Sequence, residues 1–263
     1  MCFLDAKGEG AASGGADGRV CLWDLMAQVC THTLQGHAGP VRCVAANGAW
    51  PPVLYSGSTD AMVRVWDPLQ GMCIATARGH TEMVMTVAVT SQGELVSAGA
   101  DNTIRIWASP TDDATAGAPT TNEACSLECV RTLEGGHLDC INSLGVMPDG
   151  AVVSGSSDCT VCMWDTSTAE KLERLDGHVA AVTSVCMDKG GYMVVSASED
   201  GTVRRWVLSS KPSPFERSSS SIHQSTVIER QSVASRARTS CAVVCFLLTP
   251  IDPHPTCPSA CSG

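Results

Sequence analysis

The chain has 263 residues, a formal net charge of −10 and an apolar content of 44%. This length and composition suit one large globular domain or two smaller ones. An acidic chain repels phosphate backbones, which argues against non-specific binding to nucleic acid. The longest apolar run, residues 241–248, is too short to cross a bilayer as a helix, so no membrane association is expected.

Tryptophan marks a unit that recurs along residues 1–208. Each of five tryptophans lies six residues after an aspartate, and each of these aspartates lies four residues after a serine. The tryptophans are Trp23, Trp66, Trp107, Trp164 and Trp206. A Gly-His pair precedes four of the five units, at His37, His80, His137 and His178. This agreement at several positions indicates an internal repeat.

Each unit is predicted to consist of short antiparallel strands. Residues 63–66 and 104–107 alternate apolar and polar side chains, which is the period of a half-buried strand. Glycine combined with aspartate or asparagine, as at Asp149-Gly150, separates such runs and favours hairpin turns. With four strands in about 42 residues and almost no helical pattern, the sequence predicts repeated antiparallel sheets.

The order Gly-His, then Ser-Gly-Ser-x-Asp, then a strand that ends in Trp-Asp resembles the WD40 family over residues 1 to about 208. The resemblance implies an all-β fold, a β-propeller of four-stranded antiparallel blades. About five repeats are visible, of which the first lacks a Gly-His turn and the last lacks a clear fourth strand after Trp206. The family commonly closes with about seven blades, so we expect an incomplete ring, an arc of about five blades with a gap; the alternative is a strained small ring.

The resemblance also implies a buried hydrogen-bonded tetrad of His, Ser, Asp and Trp in each complete unit. The expected tetrads are His37, Ser56, Asp60 and Trp66; His80, Ser97, Asp101 and Trp107; His137, Ser154, Asp158 and Trp164; and His178, Ser196, Asp200 and Trp206. Ser, His and Asp together are also the residues of a hydrolase triad. A catalytic site is normally single, and four copies of one set point to architecture. We therefore predict no enzymatic activity and no cofactor.

Cysteine patterns do not predict a metal site. In Cys159-x-x-Cys162 the two thiols would point to opposite faces of a strand and could not share one ion. The pairs Cys241/Cys245 and Cys257/Cys261 have loose spacing that proline interrupts. Residues 1–7 show no secretory signal, and most other cysteines stand at core positions of the repeat. We expect reduced thiols in an intracellular protein, cytoplasmic or nuclear.

Two segments fall outside the repeat. Residues 109–123, rich in Thr, Ala, Pro and Asp, are an insertion after Trp107 and are predicted to form a flexible surface loop. Residues 209–263 are rich in Ser and Pro and contain no further unit, so we predict a disordered tail that begins after residue 208.

The function expected from this architecture is a non-catalytic scaffold that binds proteins or peptides, and not nucleic acid, membranes or small molecules. Strand alternation predicts that partners meet the Gly-His end of the propeller near its channel. The candidate contact residues are Arg42, Thr59, Met83, Met85, Asn142, Ser157, Thr183 and Glu199. The alternative is a substrate-recognition subunit of a ubiquitin-ligase complex, which an F-box or RING segment in the same reading frame would favour.

Overall fold

The computed structural model describes residues 1–4, 8–48, 51–108, 125–188 and 190–208, and the backbone of 224–229. Every regular element in these ranges is a β-strand, and the strands form five sheets, here called blades 1 to 5 in chain order. In the part of the chain that is described, no helix is long and apolar enough to cross a membrane.

Each blade contains four antiparallel strands that run in chain order from the innermost to the outermost. Blade 1 contains β1 (Cys2–Phe3), β2 (Gly10–Gly14), β3 (Val20–Asp24) and β4 (Val29–Leu34). Blade 2 contains β5 (Val41–Ala46), β6 (Leu54–Ser58), β7 (Met62–Asp67) and β8 (Met72–Arg78). Blade 3 contains β9 (Val84–Val89), β10 (Leu95–Gly99), β11 (Ile104–Trp107) and, after the additional strand β12 (Cys125–Leu127), β13 (Cys129–Leu133). Blade 4 contains β14 (Ile141–Val146), β15 (Val152–Ser156), β16 (Val161–Trp164) and β17 (Lys171–Leu175). Blade 5 contains β18 (Val182–Met187), β19 (Met193–Ser198), β20 (Thr202–Val207) and β21 (Gln224–Glu229).

Consecutive blades pack face to face through apolar side chains. Four buried clusters each combine a residue of the third strand of one blade with the tryptophan of the next blade. These pairs are Leu22 with Trp66, Val65 with Trp107, Ile106 with Trp164, and Met163 with Trp206. Where inner strands approach most closely there is little room for a side chain: a Cβ on Gly155 would lie 2.6 Å from Cγ1 of Val182. Each pair of consecutive blades therefore shares a buried apolar layer.

In the described part of the chain the ring is open, as the repeat count predicts. Among the described residues, no strand ladder and no apolar cluster joins blade 5 to blade 1. A fifth cluster, with Cys186, Val195 and Ala197 at its centre, is confined to blade 5. The described residues thus form an arc of five blades.

The structure corrects one expectation about the segments outside the repeat. Residues 224–229 form the outermost strand of blade 5, paired with β20 from Thr202↔Glu229 to Val207↔Gln224. The sequence there, Gln-Ser-Thr-Val-Ile-Glu, contains the β-branched residues that strands favour but no repeat motif. The predicted absence of a fourth strand is wrong for these six residues, and the remainder of 209–263 lies outside the described residues.

The insertion after Trp107 leads into an additional strand. β12 pairs parallel to β8, with Cys125 opposite Ala75 and Leu127 opposite Ala77, so it extends blade 2 to five strands. The predicted loop, residues 109–123, lies outside the described residues.

Candidate functional site

Blades 2 to 5 each contain a four-membered chain of hydrogen-bonded side chains that matches the predicted tetrad. The tryptophan Nε1 bonds to the serine Oγ at 2.7–2.9 Å. The same Oγ lies 2.7–2.8 Å from the histidine Nε2. The histidine Nδ1 lies 2.7–3.0 Å from an aspartate Oδ2. All sixteen predicted residues therefore come together in four equivalent sets.

The donors and acceptors in each set assign one protonation state. An ionised aspartate only accepts, so the histidine carries its hydrogen on Nδ1 and donates it to Oδ2. The indole N–H donates to the serine oxygen, and the serine hydroxyl is then free to donate to the bare Nε2. The bonds thus run in one direction, from Trp to Ser to His to Asp, around a neutral imidazole.

The aspartate also fixes the turn that contains it. In blade 4 the Asp158 Oδ2 accepts the Leu138 amide at 2.9 Å, and its Oδ1 accepts the Thr160 amide at 3.0 Å and the Thr160 hydroxyl at 2.6 Å. Blades 3 and 5 repeat this arrangement with Thr103 and Thr202. Blade 2 has Met62 there, so Asp60 receives the backbone bond alone. The carboxylate therefore links two loops of the blade.

Burial and hydrogen bonding shift the ionisation of these groups. Burial raises the pKa of the Asp60 carboxyl, but the hydrogen bonds from the Ala38 amide and the His37 ring hold that pKa below its ordinary value. The pKa of Asp158 is lowered by its bonds from Thr160, Leu138 and His137, which also outweigh burial. For His37, His137 and His178, burial lowers the pKa more than the neighbouring aspartate raises it. In blades 2, 4 and 5 the charge pattern at neutral pH is thus an ionised aspartate and a neutral histidine.

The Gly-His pair has a packing cause. A Cβ on Gly79 would lie 3.1 Å from Cη2 of Trp107, and one on Gly136 would collide with the indole of Trp164. The residue before each histidine thus lies against the tryptophan ring of the same tetrad. A side chain larger than the hydrogen of glycine would displace that ring.

Blade 1 has an incomplete version of the tetrad. The Trp23 Nε1 donates to the Ser13 Oγ at 2.8 Å, as in the other blades. Asp17 has no histidine partner among the described residues; it accepts the Arg19 amide at 3.1 Å and lies 3.7 Å from the Arg19 guanidinium. Trp23 is 37% exposed, whereas the other four repeat tryptophans are 1–3% exposed.

The tetrads offer no access to a substrate. The serines Ser56, Ser97, Ser154 and Ser196 are all fully buried. A nucleophilic hydroxyl has to reach the reacting atom of its substrate, and these hydroxyls contact only tetrad partners and neighbouring backbone. The geometry therefore favours a structural role. In the described part of the chain, no group of three or more His, Cys, Asp or Glu residues is placed to hold a metal ion.

Five of the predicted contact residues flank or lie at the start of an inner strand. The other three, Thr59, Ser157 and Glu199, directly follow the second strand of their blade, and their amides bond to the carbonyls that precede the inner strand. The apolar residues beside the first five, Val41, Val84, Ile141 and Val182, are buried as the alternation predicts. Among the candidates, Arg42, Met83 and Glu199 are exposed. Those that are half-buried are Thr59, Met85, Asn142, Ser157 and Thr183. We call these eight residues the rim.

Three rim residues already have partners within the protein. The Asn142 amide nitrogen donates to the Ser157 Oγ at 3.0 Å and to the Val182 carbonyl at 2.9 Å, which links blade 4 to blade 5. The Thr183 hydroxyl donates to the Ala197 carbonyl at 3.2 Å. These three side chains therefore stabilise the rim, a role that the sequence did not reveal because their partners are distant in the chain.

Arg42 is the positively charged residue of the rim. Its guanidinium forms no ion pair or side-chain hydrogen bond with the described residues. Burial and Asp139 raise the pKa of the Cys140 thiol in blade 4, and the positive charge of Arg42 in blade 2 opposes this rise. Cys140 lies directly before the inner strand of blade 4. Met83 and Met85 flank Val84, the first residue of β9, in blade 3, which lies between blades 2 and 4.

A small polar cavity of about 180 Å³ lies between blades 3 and 4. Its lining includes Glu94, Arg131 and Asp165. Arg131 lies 3.9 Å from Glu94, and the Asp165 Oδ1 accepts the Ser167 amide and hydroxyl at 2.7 and 2.6 Å. This cavity was not predicted from the sequence, because its lining combines residues of two different repeats. These polar groups mostly bond to one another.

The comparison with family models decides the classification. The WD40 model, described as "WD domain, G-beta repeat", matches residues 28–67, 71–108, 127–165 and 169–206. The chain belongs to the WD40 family. Each match begins at the outermost strand of one blade and ends at the third strand of the next, so sequence repeats and blades are offset by one strand. The inner strands of blade 1 and strand β21 lie outside the matches.

Similar proteins include the target of rapamycin complex subunit LST8 of Saccharomyces cerevisiae, 31% identical over 123 residues, which are 46% of this chain and 35% of that protein. The target of rapamycin complex subunit wat1 of Schizosaccharomyces pombe is 31% identical over 115 residues, 43% of this chain and 31% of the relative. The small ribosomal subunit protein RACK1y of rice (Oryza sativa subsp. japonica) is 32% identical over 118 residues, 44% of this chain and 30% of the relative. The chain thus spans about a third of the length of these relatives.

Proposed function

We propose that this protein is a non-catalytic scaffold that holds a partner protein or peptide at its rim. The observation that carries the proposal is the contrast between the two sets of polar residues. The tetrads are buried and saturated with internal bonds, whereas Arg42 and Glu199 in the rim are exposed. The relatives support the same reading, since two are named as subunits of a target of rapamycin complex and one as a ribosomal subunit protein.

The rim's composition indicates which peptide would fit. The Arg42 guanidinium offers a planar fork for a carboxylate or a phosphate. Met83, 40% exposed, and Met85 offer an adaptable apolar surface on the neighbouring blade. A short segment with an acidic residue close to an apolar one therefore matches this part of the rim.

The test is binding of the purified full chain to an array of short peptides in which acidic and apolar positions vary. We expect Arg42→Glu to weaken the captured peptides by at least about tenfold and Met85→Asp to reduce the preference for apolar residues. Lys171→Glu, an exposed charge reversal at the start of β17, is the matched control and should bind as wild type does. Each variant is first checked by thermal melting. Equal binding by Arg42→Glu, Met85→Asp and wild type would exclude the rim.

A further inference from the structure

The small polar cavity between blades 3 and 4 lies at the opposite end of the blades from the rim. Most of its walls come from the hairpins that join the first and second strands of these blades and from the turn between β16 and β17. The Gly-His turns, by contrast, join the fourth strand of one blade to the first strand of the next. Because antiparallel strands reverse direction at every turn, these two kinds of connection lie at opposite ends of a blade. The cavity is therefore separate from the rim.

Asp165 is a buried carboxylate in the wall of this cavity. It directly follows Trp164 and is 8% exposed, and its Oδ1 accepts the Ser167 amide and hydroxyl and the Thr168 amide. Among the described residues, no hydrogen bond or ion pair reaches its other oxygen, Oδ2. Burial raises the pKa of the Asp165 carboxyl, but the hydrogen bonds from Ser167 and Thr168 hold that pKa below its ordinary value. A buried, ionised carboxylate with a free oxygen is a strong acceptor for a cationic donor.

The equivalent residues of the other blades differ from Asp165. Blades 1 and 2 have Asp24 and Asp67 directly after the tryptophan, and each of these aspartates is half-buried and accepts two amides of its turn. Blades 3 and 5 have Ala108 and Val207 at this position. A half-buried aspartate is therefore enough to hold the turn. Holding the turn does not explain why the carboxylate of blade 4 is buried in the wall of an acidic cavity.

The formal charges around the cavity do not balance. Besides Asp165, the lining includes the carboxylates of Glu94 and Asp149, and Arg131 carries the only guanidinium among the described residues that line it. Arg131 lies 3.9 Å from Glu94 and forms no other ion pair in the described part of the chain. Three carboxylates thus face one guanidinium, so the cavity favours a ligand with a positive charge.

The loops that form the walls are tied together. The Ser91 hydroxyl donates to the Pro148 carbonyl at 3.1 Å, which joins the hairpin of blade 3 to the hairpin of blade 4. The Thr166 hydroxyl donates to the Gly150 carbonyl at 3.2 Å, which joins the turn after Trp164 to the same hairpin. A ligand that enters the cavity therefore meets ordered walls, and this lowers the entropic cost of binding.

We propose that this cavity binds an arginine side chain of a partner protein, with the guanidinium at Asp165 and Asp149 and the methylene stem against Leu172, which is 39% exposed. The volume of about 180 Å³ is below the roughly 300–1,000 Å³ of sites for drug-sized ligands, so it suits a single side chain. A guanidinium has five N–H donors in a planar fork and is less strongly hydrated than an ammonium, so it matches several acceptors in a recess better than lysine does. Asp149 and Gln92 line the cavity and are also exposed, so its lining continues onto the surface, where the main chain of a partner would lie.

The test is titration of the isotopically labelled full chain with short peptides, followed by NMR of its backbone amides. The probe is acetyl-Gly-Gly-Arg-Gly-Gly-amide, beside counterparts with lysine or norleucine at the centre. We expect a saturable shift of the Ala151, Ser167 and Thr168 amides with the arginine peptide, weaker binding of the lysine peptide and no shift with the norleucine peptide. Free L-arginine should bind more weakly than the arginine peptide, since it lacks the neighbouring main-chain groups. The affinity should fall as salt is added, because the attraction is between charges.

Substitutions in the wall separate binding from support of the turn. Asp165→Asn should weaken the arginine peptide by at least about tenfold, because it removes the buried charge but keeps an oxygen for the turn amides. Asp67→Asn is the matched control: it makes the same change in the equivalent turn of blade 2, outside the cavity, and should bind as wild type does. Arg131→Gln should strengthen binding by at least about twofold, since it removes a positive charge from the lining. Asp149→Asn, at an exposed position, replaces Asp165→Asn if that variant melts early.

Several results would overturn the proposal. These are the absence of a saturable shift with the arginine peptide, an equal shift with the norleucine peptide, and tighter binding of the lysine peptide. Equal losses in Asp165→Asn and Asp67→Asn, or free L-arginine that binds as tightly as the peptide, would overturn it as well. Arg42→Glu in the rim should leave this titration unchanged, so the result is independent of peptide binding at the rim.

Discussion

Blades 1 and 4 have the same four-stranded topology but differ in how completely their polar side chains are connected. In blade 4 the chain from Trp164 through Ser154 and His137 to Asp158 is closed and buried. In blade 1 the bond between Trp23 and Ser13 remains, but no described histidine connects it to an aspartate. The comparison teaches that the Trp–Ser bond forms within two adjacent strands, whereas the aspartate joins the tetrad only through a histidine contributed by the preceding turn.

The largest expected difference between the two blades concerns their tryptophans. Trp164→Ala should lower the free energy of unfolding by about 3–5 kcal/mol, because it leaves a cavity between blades 3 and 4. Trp23→Ala should cost about 1–2 kcal/mol, since the ring is already partly in contact with water. Urea denaturation of both variants beside wild type checks this ranking. A larger loss for Trp23 than for Trp164 would mean that blade 1 is covered in solution.

Replacing the aspartates should produce a smaller difference in stability between the two blades. Asp158→Ala leaves the His137 Nδ1, the Leu138 amide and the Thr160 amide without their acceptor and should cost about 1–3 kcal/mol. Asp60→Ala should fall in the same range. Asp17→Ala should stay within about 0.5 kcal/mol, because the Asp17 side chain is largely exposed. Melting temperatures of the three variants test the assignment, and unchanged values for Asp60→Ala and Asp158→Ala would refute it.

These results bear on how much of the structure could be predicted. The spacing of Ser, Asp and Trp predicted five repeated units, and the resemblance to the WD40 family implied the blades and the four tetrads, each of which lies within one contiguous repeat. β21 could not be predicted, because pairing with β20 needs only extended backbone and leaves no motif in the sequence. The parallel strand β12 was missed because it pairs with the preceding blade and not with its own.

The rim was predicted in position but not in detail. Val41, Val84, Ile141 and Val182 are buried as the alternation predicts, and five of the candidate residues lie beside them at the starts of inner strands. Whether a polar side chain there is free or engaged depends on atoms about 40 positions away: Asn142 bonds to the Val182 carbonyl, which belongs to the next blade. A single repeat contains no information about that partner.

Stability should also depend on pH in a way that only tetrad-containing blades produce. The pKa values of His37, His137 and His178 are lowered in the folded state, so the unfolded chain binds more protons once the pH falls below about 6.5. The pKa values of Asp60 and Asp158 are lowered too, so their contribution is lost as the pH falls below about 3.8. Both effects destabilise the protein in acid. Urea midpoints measured from pH 7.5 to 4.5 should fall steadily, and a flat profile would contradict the burial of neutral histidines.

Hydrogen–deuterium exchange of the native full chain tests most directly whether the closed tetrads set the rigidity of the blades. The Leu138 amide donates to Asp158 inside a complete tetrad, and the Arg19 amide donates to Asp17 in the incomplete one. We predict that the Leu138 amide exchanges more slowly by a factor on the order of 100, and that Ala38, Thr81 and Val179 behave as Leu138 does. Equal exchange at Arg19 and Leu138 would show that the tetrad does not stabilise its turn and would contradict the account.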